Sequence, residues 1–331
     1  MGTGVSRHTQ AATFPPDRFY CLLDELPIHL VPRPALKTIE SVIVEESNFH
    51  LNPECRLMSA EVLPEELVCK HDVRKSFVLQ ETIAWVPDTL SGGLLPFWLG
   101  PELAAYVEHS RAGDRVRSLP QNAVRILVAA GILVSEERSV HASQQRDEII
   151  HKANAMFRLK GYAPLSGIIH PFHVAALRRY YRYLIRTGAI KLGDGQSPLR
   201  YIAHNDPVAK FFHRQIAALL SAVAGEPLKP SYVYLASYLG GAELKKHTDR
   251  EQCEFSITLC LDFSPEPELA SPWPIKLETP SGTLSVYQAL GDGLAYRGTL
   301  LPHYRDPLGA GQTSTSIFFH YVRADFEGSL D

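Results

Sequence analysis

The side chains best placed to hold a metal ion are a histidine and an aspartate two positions apart, His247 and Asp249. Alternate residues of a β-strand point to the same face, so one imidazole and one carboxylate can reach a single ion from such a strand. A third ligand must come from a distant strand, and His303 is the candidate. Two histidines and one carboxylate on one octahedral face leave three positions open, which suits non-haem Fe(II) with a bidentate co-substrate and dioxygen.

A histidine and an aspartate at this spacing are weak evidence alone, because the chain contains 14 histidines. His204 and Asp206 have the same spacing, but a proline follows and predicts a helix start, so Asp206 is interpreted as a helix cap. His170 and His173 lie one helical turn apart, and the proline between them favours a structural role at another helix start. The surroundings of His247 must therefore decide the assignment.

The stretch from Tyr238 to Asp249 separates His247 from these other histidines. It runs from a tyrosine through a pair of glycines to the histidine and the aspartate. This order and spacing resemble the prolyl-hydroxylase branch of the Fe(II)/2-oxoglutarate-dependent oxygenase superfamily.

The C-terminal part of the chain agrees with this resemblance. Residues 291–297, then His303, then residues 311–319 look like the strand, the distal histidine and the final strand of the same superfamily. The resemblance covers about residues 150–325, and its specific motifs begin at residue 238.

The resemblance implies a barrel that binds Fe(II) through His247, Asp249 and His303. It also implies 2-oxoglutarate as co-substrate and O2 as oxidant, with succinate and CO2 released as an unactivated C–H bond is hydroxylated. Asp249 stands where related halogenases have a small residue, which favours hydroxylation over halogenation, while desaturation and ring formation stay open. By family analogy the substrate is an amino acid, a peptide or a carrier-bound small molecule, and no motif decides among them.

The sequence departs from the superfamily at the site for the distal carboxylate of 2-oxoglutarate. Members usually have an arginine or lysine about ten residues after the distal histidine, whereas Gln312, Thr313 and Ser314 occupy that region here. A dianion buried without a cation would be costly, so another positive charge is expected.

Arg305, two residues after the distal histidine, is the first candidate for this role, and Arg297 on the preceding strand is the second. Thr313 and Tyr238 are the candidate hydroxyl partners of the same carboxylate. An ion pair between Arg305 and its neighbour Asp306 is the alternative interpretation. A further arginine, next to Asp249 at position 250 (Arg250), would contact substrate if it lies at a strand entrance.

The predicted fold class is α+β, with a C-terminal double-stranded β-helix, or jelly roll, packed on helices. Two amphipathic helices are expected, from about Val174 to Arg186 and from Asp206 onward, and strands follow from about Ser231. In residues 254–263, apolar residues alternate with polar ones, which predicts one apolar face and one polar inward face. The arginines of the first helix are interpreted as a solvated face.

A smaller mixed α/β domain is predicted to precede the barrel. The polar residues 138–150 suit a linker or an exposed helix start, so the predicted division is 1–150 and 151–331. The N-terminal unit has no assigned role beyond a possible part in substrate or partner recognition. A helix ending at Gly131, followed by a short strand, has the form of a winged-helix corner, but ordinary α+β packing is favoured.

The composition excludes several classes of protein. A net charge of −3 offers no basic excess for nucleic acid. Five cysteines without a CxxC pair argue against a disulfide framework or a structural zinc, and favour a reducing cytoplasm. The longest apolar run, residues 126–134, is about half of a bilayer span, so a soluble protein without membrane association is expected. The oligomeric state is not predicted.

Two alternatives to an oxygenase remain open. A cupin-type metal enzyme would share the barrel, but it would need a denser histidine cluster with a glutamate, which the sequence does not show. A non-catalytic barrel used for ligand sensing or binding is the other alternative. It rests on the possible winged-helix corner in the N-terminal half.

Overall fold

The computed structural model describes residues 14–40, 49–59, 62–65, 71–116 and 119–331. The α-helices in this part of the chain are α1 (Arg33–Glu40), α2 (His71–Ser76), α3 (Pro101–Val107), α4 (Gln121–Ala129), α5 (Glu136–Lys160), α6 (Pro171–Arg186), α7 (Pro207–Gln215) and α8 (Ala217–Ala224). Single 3-10 turns lie at Ile28–Leu30 and Glu251–Cys253. None of these helices combines the length and apolar character that a bilayer crossing requires.

The N-terminal half contains two small antiparallel sheets. Its strands are β1 (His50–Leu51), β2 (Arg56–Met58), β3 (Thr82–Pro87), β4 (Leu94–Leu99) and β5 (Leu133–Val134). β2, β3 and β4 form one sheet in that order, and β1 pairs with β5 in the other. The chain reaches β5 directly after α4, through Gly131 at a φ of +72°. This left-handed conformation ends the helix as its sequence predicts.

The C-terminal half forms two larger antiparallel sheets. Its strands are β6 (Tyr162–Leu165), β7 (Lys191–Leu192), β8 (Arg200–His204), β9 (Leu228–Leu239), β10 (Leu244–His247), β11 (Phe255–Ser264), β12 (Ile275–Thr279), β13 (Gly282–Val286), β14 (Gly293–Arg297), β15 (His303–Arg305) and β16 (Thr313–Arg323). One sheet has the order β6-β14-β11-β16-β9-β8-β7, and the other has the order β10-β15-β12-β13. Helices α6, α7 and α8 lie against the larger sheet. The predicted jelly roll packed on helices is therefore confirmed.

The two faces of β11 differ as its alternating pattern predicts. Phe255, Ile257 and Leu259 join the apolar core that includes the helices. Ser256 and Thr258 point the other way, toward Asp249 and Tyr296 respectively. The larger sheet thus has an apolar face toward the helices and a polar face toward the inside of the barrel.

The prediction that Asp262 shares this inward face is wrong. The pairing of β11 with β16 shifts register between Cys260 and Asp262, which places Asp262 opposite Thr315. An extra residue in one strand reverses the facing of the residues beyond it. Asp262 therefore lies under α6, on the outer side of the barrel.

This register shift explains a second correction, which concerns the arginines of α6. Arg178 is only 1% exposed, and its guanidinium binds Asp262 at 2.9 Å and Glu266 at 2.7 Å. Arg182 binds the same Asp262 carboxylate at 2.6 Å. The prediction of a solvated face is wrong for Arg178, which is buried against Asp262 and Glu266, whereas Arg182 and Arg186 are exposed as predicted.

The apolar core is continuous between the two halves of the chain. Phe19 of the N-terminal half stacks edge-on against Phe212 of α7, and Phe77 does the same against Phe211. Residues 138–150 lie within the 25-residue helix α5. Of the two interpretations of that polar stretch, the helix is therefore the one observed, and the division of the chain at residue 150 stays a prediction.

Candidate metal centre

Three side chains meet inside the barrel and are called the triad: His247 at the end of β10, Asp249 two residues further along the chain, and His303 on β15. The Nε2 atoms of His247 and His303 each lie 3.6 Å from the same Oδ1 atom of Asp249. The two imidazole rings are 4.4 Å apart between centroids. β10 and β15 bring the histidines together, because His247 is paired directly with His303 in the antiparallel ladder.

Both histidines are oriented with one nitrogen available for a metal. His247 Nδ1 lies 2.7 Å from the carbonyl oxygen of Lys245, and His303 Nδ1 lies 2.9 Å from that of Leu301. A carbonyl can only accept, so each Nδ1 carries the proton and each Nε2 presents its lone pair to the centre of the triad. Burial lowers the pKa of His303, which keeps this imidazole neutral despite the nearby Asp249.

Hydrogen bonds fix the carboxylate of Asp249 on the side away from the two histidines. Ser256 Oγ donates to Asp249 Oδ2 at 3.2 Å and lies 2.8 Å from His320 Nδ1. The backbone N–H of Asp249 donates to the carbonyl of Gly298 at 2.9 Å. Burial lowers the pKa of His320 to about 4, so this histidine is neutral and its Nδ1–H can donate to the serine. Oδ1 is thereby left facing the two histidines.

The triad opens into a cavity of about 310 Å³. Its wall contains the aromatic side chains Tyr232, Tyr234, Tyr238, Tyr296 and Phe318. Its charged members outside the triad are Asp194, Arg200 and Arg250. A volume of this size lies near the lower end of the range for small-molecule sites. The cavity therefore suits a small ligand or one end of a larger one.

Arg305 is buried beside this cavity without a carboxylate partner among the described residues. Its Nη1 donates to the carbonyl of Trp273 at 2.6 Å, and its guanidinium lies 4.8 Å from the centre of that indole ring. In the described part of the chain, its Nε has no hydrogen-bond partner. The alternative pair with Asp306 does not form, because Lys276 binds that carboxylate at 2.5 Å. Arg305 thus keeps an uncompensated charge inside the barrel.

A second unpartnered polar atom lies near Arg305. The buried Ser316 Oγ has no hydrogen-bond partner within the described ranges. Ser316 lies opposite Cys260 across the β11–β16 ladder. Burial raises the pKa of the Cys260 thiol to about 12, and the charge of Arg305 acts on that thiol in the opposite direction. Buried polar atoms without partners are uncommon in proteins, so this region is suited to a polar ligand.

The other candidates for the co-substrate site are placed differently. Tyr238 is fully buried in the cavity wall, with its hydroxyl 3.4 Å from Arg200 Nη1. Tyr238 pairs with Ser314, so Thr313, one residue earlier, faces the outer side of the sheet and lines a cavity beside α6. Arg297 also lies outside the barrel, where it binds Glu226 at 3.4 Å. The structure does not bring Thr313 or Arg297 to the triad.

The cavity wall contains an ion pair that sequence reasoning missed. Arg200 binds Asp194 through two nitrogens, and Tyr234 donates its hydroxyl to the same carboxylate at 2.7 Å. Burial opposes ionisation, but these hydrogen bonds lower the pKa of Asp194 to about 2. Nothing in the spacing of these residues distinguishes them, because they meet through a loop between β7 and β8. Ser256 and His320 were missed as well, although both fall on the inward positions of their strands.

Asp206 has the capping role predicted for it, and His170 and His173 have the predicted structural roles, whereas His204 ends strand β8. Asp206 caps α7 by accepting from the backbone N–H groups of residues 208 and 209, both at 3.0 Å. His204 lies in the cavity wall, 5.1 Å from the ring of Tyr232. His170 and His173 bond to backbone carbonyls at 2.9 Å each, within the core between the two halves.

No family model matches the chain, and no curated protein matches it. Solved structures do match about half of it. SnoN, a non-heme α-ketoglutarate-dependent epimerase of nogalamycin biosynthesis, has a TM-score of 0.45 and 15% identity over 54% of this chain and 82% of SnoN. A prolyl-4-hydroxylase from Pseudomonas putida has a TM-score of 0.44 and 18% identity over 53% of this chain and 99% of that enzyme.

HygX from Streptomyces hygroscopicus, solved with nickel, 2-oxoglutarate and hygromycin B, has a TM-score of 0.44 and 13% identity over 53% of this chain and 88% of its own. At such identities and TM-scores these likenesses do not identify the reaction of this chain. The chemical assignment therefore rests on the geometry of the triad. About half of the chain is similar in fold to these enzymes.

Proposed function

We propose that the protein is an Fe(II)- and 2-oxoglutarate-dependent oxygenase that hydroxylates an unactivated C–H bond of an amino-acid, peptide or carrier-bound substrate. The observation that carries this proposal is the geometry of the triad. Two imidazole Nε2 atoms with their lone pairs free converge on one carboxylate oxygen at equal distances. Two histidines and a carboxylate in this arrangement are the donor set of non-haem Fe(II) oxygenases.

With Fe(II) bound, the expected reaction consumes O2 and 2-oxoglutarate, releases succinate and CO2, and transfers one oxygen atom into a substrate C–H bond. The protein's own part is to hold ligands and exclude water. Lys245 and Leu301 fix the two imidazoles through their carbonyls, and Ser256 fixes the carboxylate. Hydrogen bonds of this kind orient the side chains that bind a metal and raise the affinity of the site for the metal.

Arg305 is the residue best suited to bind the distal carboxylate of 2-oxoglutarate. Its charge is buried and lacks a carboxylate partner among the described residues, and Tyr238 and Tyr296 of the cavity wall lie close to it. A charge-assisted hydrogen bond to a carboxylate would satisfy its free Nε. Ser316 offers a hydroxyl in the same region. In the region of the family's usual basic residue the chain has Gln312, Thr313 and Ser314, and Thr313 faces away from the cavity.

The proposal is tested by loading the protein with Fe(II) and 2-oxoglutarate under anaerobic conditions, admitting O2 and measuring succinate. The wild-type protein should release succinate slowly without substrate, and His247→Ala and Asp249→Ala should release none. Arg305→Gln should raise the KM for 2-oxoglutarate about tenfold or more, because one charged hydrogen-bond donor is lost. Arg297→Gln is the matched control, since its guanidinium pairs with Glu226 outside the barrel.

The outcomes separate the alternatives. Succinate release that persists in His247→Ala would contradict the assignment of the triad. Binding of 2-oxoglutarate without succinate release would favour a ligand-sensing barrel. Turnover that needs the metal but not 2-oxoglutarate would favour a cupin-type enzyme.

A further inference from the structure

Arg250 lies in the cavity wall next to the triad residue Asp249, and its side chain is exposed. Its guanidinium carbon lies 4.9 Å from the centre of the Tyr232 ring, and its Nε donates to the Tyr232 hydroxyl at 3.4 Å. Within the described residues, no carboxylate lies at ion-pair distance from it. Arg250 therefore presents an uncompensated positive charge where a substrate would approach the triad.

Tyr232, which packs against Arg250, is itself fixed by several contacts. The Tyr232 ring packs 4.7 Å from His320 and 5.1 Å from His204, between centroids. Its hydroxyl also lies 3.0 Å from the thiol of Cys253. A tyrosine fixed on several sides holds the stacked guanidinium in one orientation, which lowers the entropy that binding would cost.

The other charges in the cavity wall are already balanced. Arg200 is neutralised by Asp194, whose carboxylate also accepts from Tyr234. Among the described residues in or beside the cavity wall, the remaining charged side chains are those of Asp249, Arg305 and Arg250. If the proposed function holds, Fe(II) and these two arginines bring four positive charges, whereas Asp249 and dianionic 2-oxoglutarate bring three negative ones. One positive charge is left for the substrate to balance.

We propose that the substrate is a monocarboxylate whose acid group binds Arg250. A phosphate monoester carries up to two charges and fits this count less well. The body of the substrate would lie along the ring faces of Tyr232, Tyr234 and Phe318, which supply an apolar and aromatic wall. An acid group at Arg250, beside Asp249, places a C–H bond a few atoms away close to the triad. This inference rests on the proposed function and adds the chemical class of its substrate.

The test uses the full-length protein loaded with Zn(II) in place of Fe(II) and with saturating 2-oxoglutarate, so that no turnover occurs. Binding of 3-phenylpropionate, 3-phenylpropionamide and phenyl phosphate is measured by ligand-observed NMR titration. The acid should bind about tenfold more tightly than the neutral amide, and more tightly than the phosphate. Arg250→Gln should remove the preference for the acid over the amide, and Arg250→Lys should keep part of it because the charge remains. Lys191→Gln, which removes an exposed positive charge outside the cavity, should leave the preference intact.

Equal affinities for acid and amide, a preference for the phosphate, or no binding of any probe would overturn the proposal. So would a preference for the acid that survives in Arg250→Gln. Zn(II) and 2-oxoglutarate affinities are measured on the same samples. If the wild-type protein does not bind Zn(II) and 2-oxoglutarate, the proposed function itself is refuted. If it binds both but shows no preference for the acid, only the substrate class is refuted.

Discussion

The position of the triad carboxylate depends on the absence of a side chain at Gly298. A Cβ atom built on this residue would lie 2.2 Å from Asp249 Oδ2 and 2.5 Å from the backbone oxygen of Cys253. The backbone of Gly298 cannot easily yield, because its carbonyl accepts from Asp249 and its N–H donates to Glu254 at 3.0 Å. The substitution Gly298→Ala must therefore displace the carboxylate.

The displacement can be estimated from ordinary contact distances. Moving Oδ2 from 2.2 Å to at least 3.4 Å from the new methyl group requires a shift of about 1.2 Å. Metal sites tolerate deviations of only about 0.2 Å in ligand distance, so Asp249 would be lost as an effective ligand. Disturbing the residues that orient ligands usually costs about 10- to 100-fold in metal affinity, and the upper end of that range is expected here.

The assay is Mn(II) binding by titration calorimetry, together with urea unfolding to verify that the variant folds. Gly195→Ala is the control, because its new Cβ meets no atom within 4 Å. Gly298→Ala should bind Mn(II) about 100-fold more weakly, while Gly195→Ala should match the wild type. Wild-type affinity in a folded Gly298→Ala protein would refute the account of how the carboxylate is held.

Three further predictions follow from contacts in the structure. Ser256→Ala should weaken Mn(II) binding about tenfold without unfolding the protein, because the triad carboxylate loses its donor, and unchanged calorimetric affinity would argue against this role. Arg178→Met should lower the free energy of unfolding in urea by about 3–5 kcal/mol, because two carboxylates lose a buried partner, and Arg182→Met should cost clearly less, since Arg182 is half exposed. Burial lowers the pKa values of His173 and His213 to about 3, below that of an unfolded histidine near 6.5, so the stability they confer is complete above pH 6.5 and declines as the pH falls toward 4. The free energy of unfolding in urea should therefore be lower at pH 5 than at pH 7 by about a few kcal/mol. Equal free energies at the two pH values would contradict the buried neutral state of these histidines.

The triad and the barrel follow from local patterns in the sequence. His247 and Asp249 are only two positions apart in the chain, and the motif around them is specific. His303 could be predicted as the third ligand because antiparallel strands bring residues that are distant in the chain close together. Capping by Asp206 depends on its immediate neighbours alone, which is why it was predictable as well.

The errors come from features that no local pattern reveals. The register shift after Cys260 turns Asp262 outward and buries Arg178, which its position on an amphipathic helix would leave in solvent. Thr313 was expected beside Tyr238, but the ladder pairs Tyr238 with Ser314, so the two hydroxyls lie on opposite faces. Such differences of one residue in strand register become visible only when the pairing is known.

The ion pair of Arg200 and Asp194 shows a different limit. The two residues meet because a loop between short strands folds back on itself, and neither spacing nor composition marks them. Arg305, by contrast, was predictable from its place after the distal histidine. Its burial without a carboxylate partner in the described chain required the structure.

The decisive experiment is a crystal structure of the protein with Mn(II) and 2-oxoglutarate bound. One anomalous peak is expected within about 2.0–2.3 Å of His247 Nε2, His303 Nε2 and Asp249 Oδ1, with the distal carboxylate of the co-substrate bound by Arg305. A metal ion located away from these three atoms, or no ion at saturating Mn(II), would show that the triad is not a metal site.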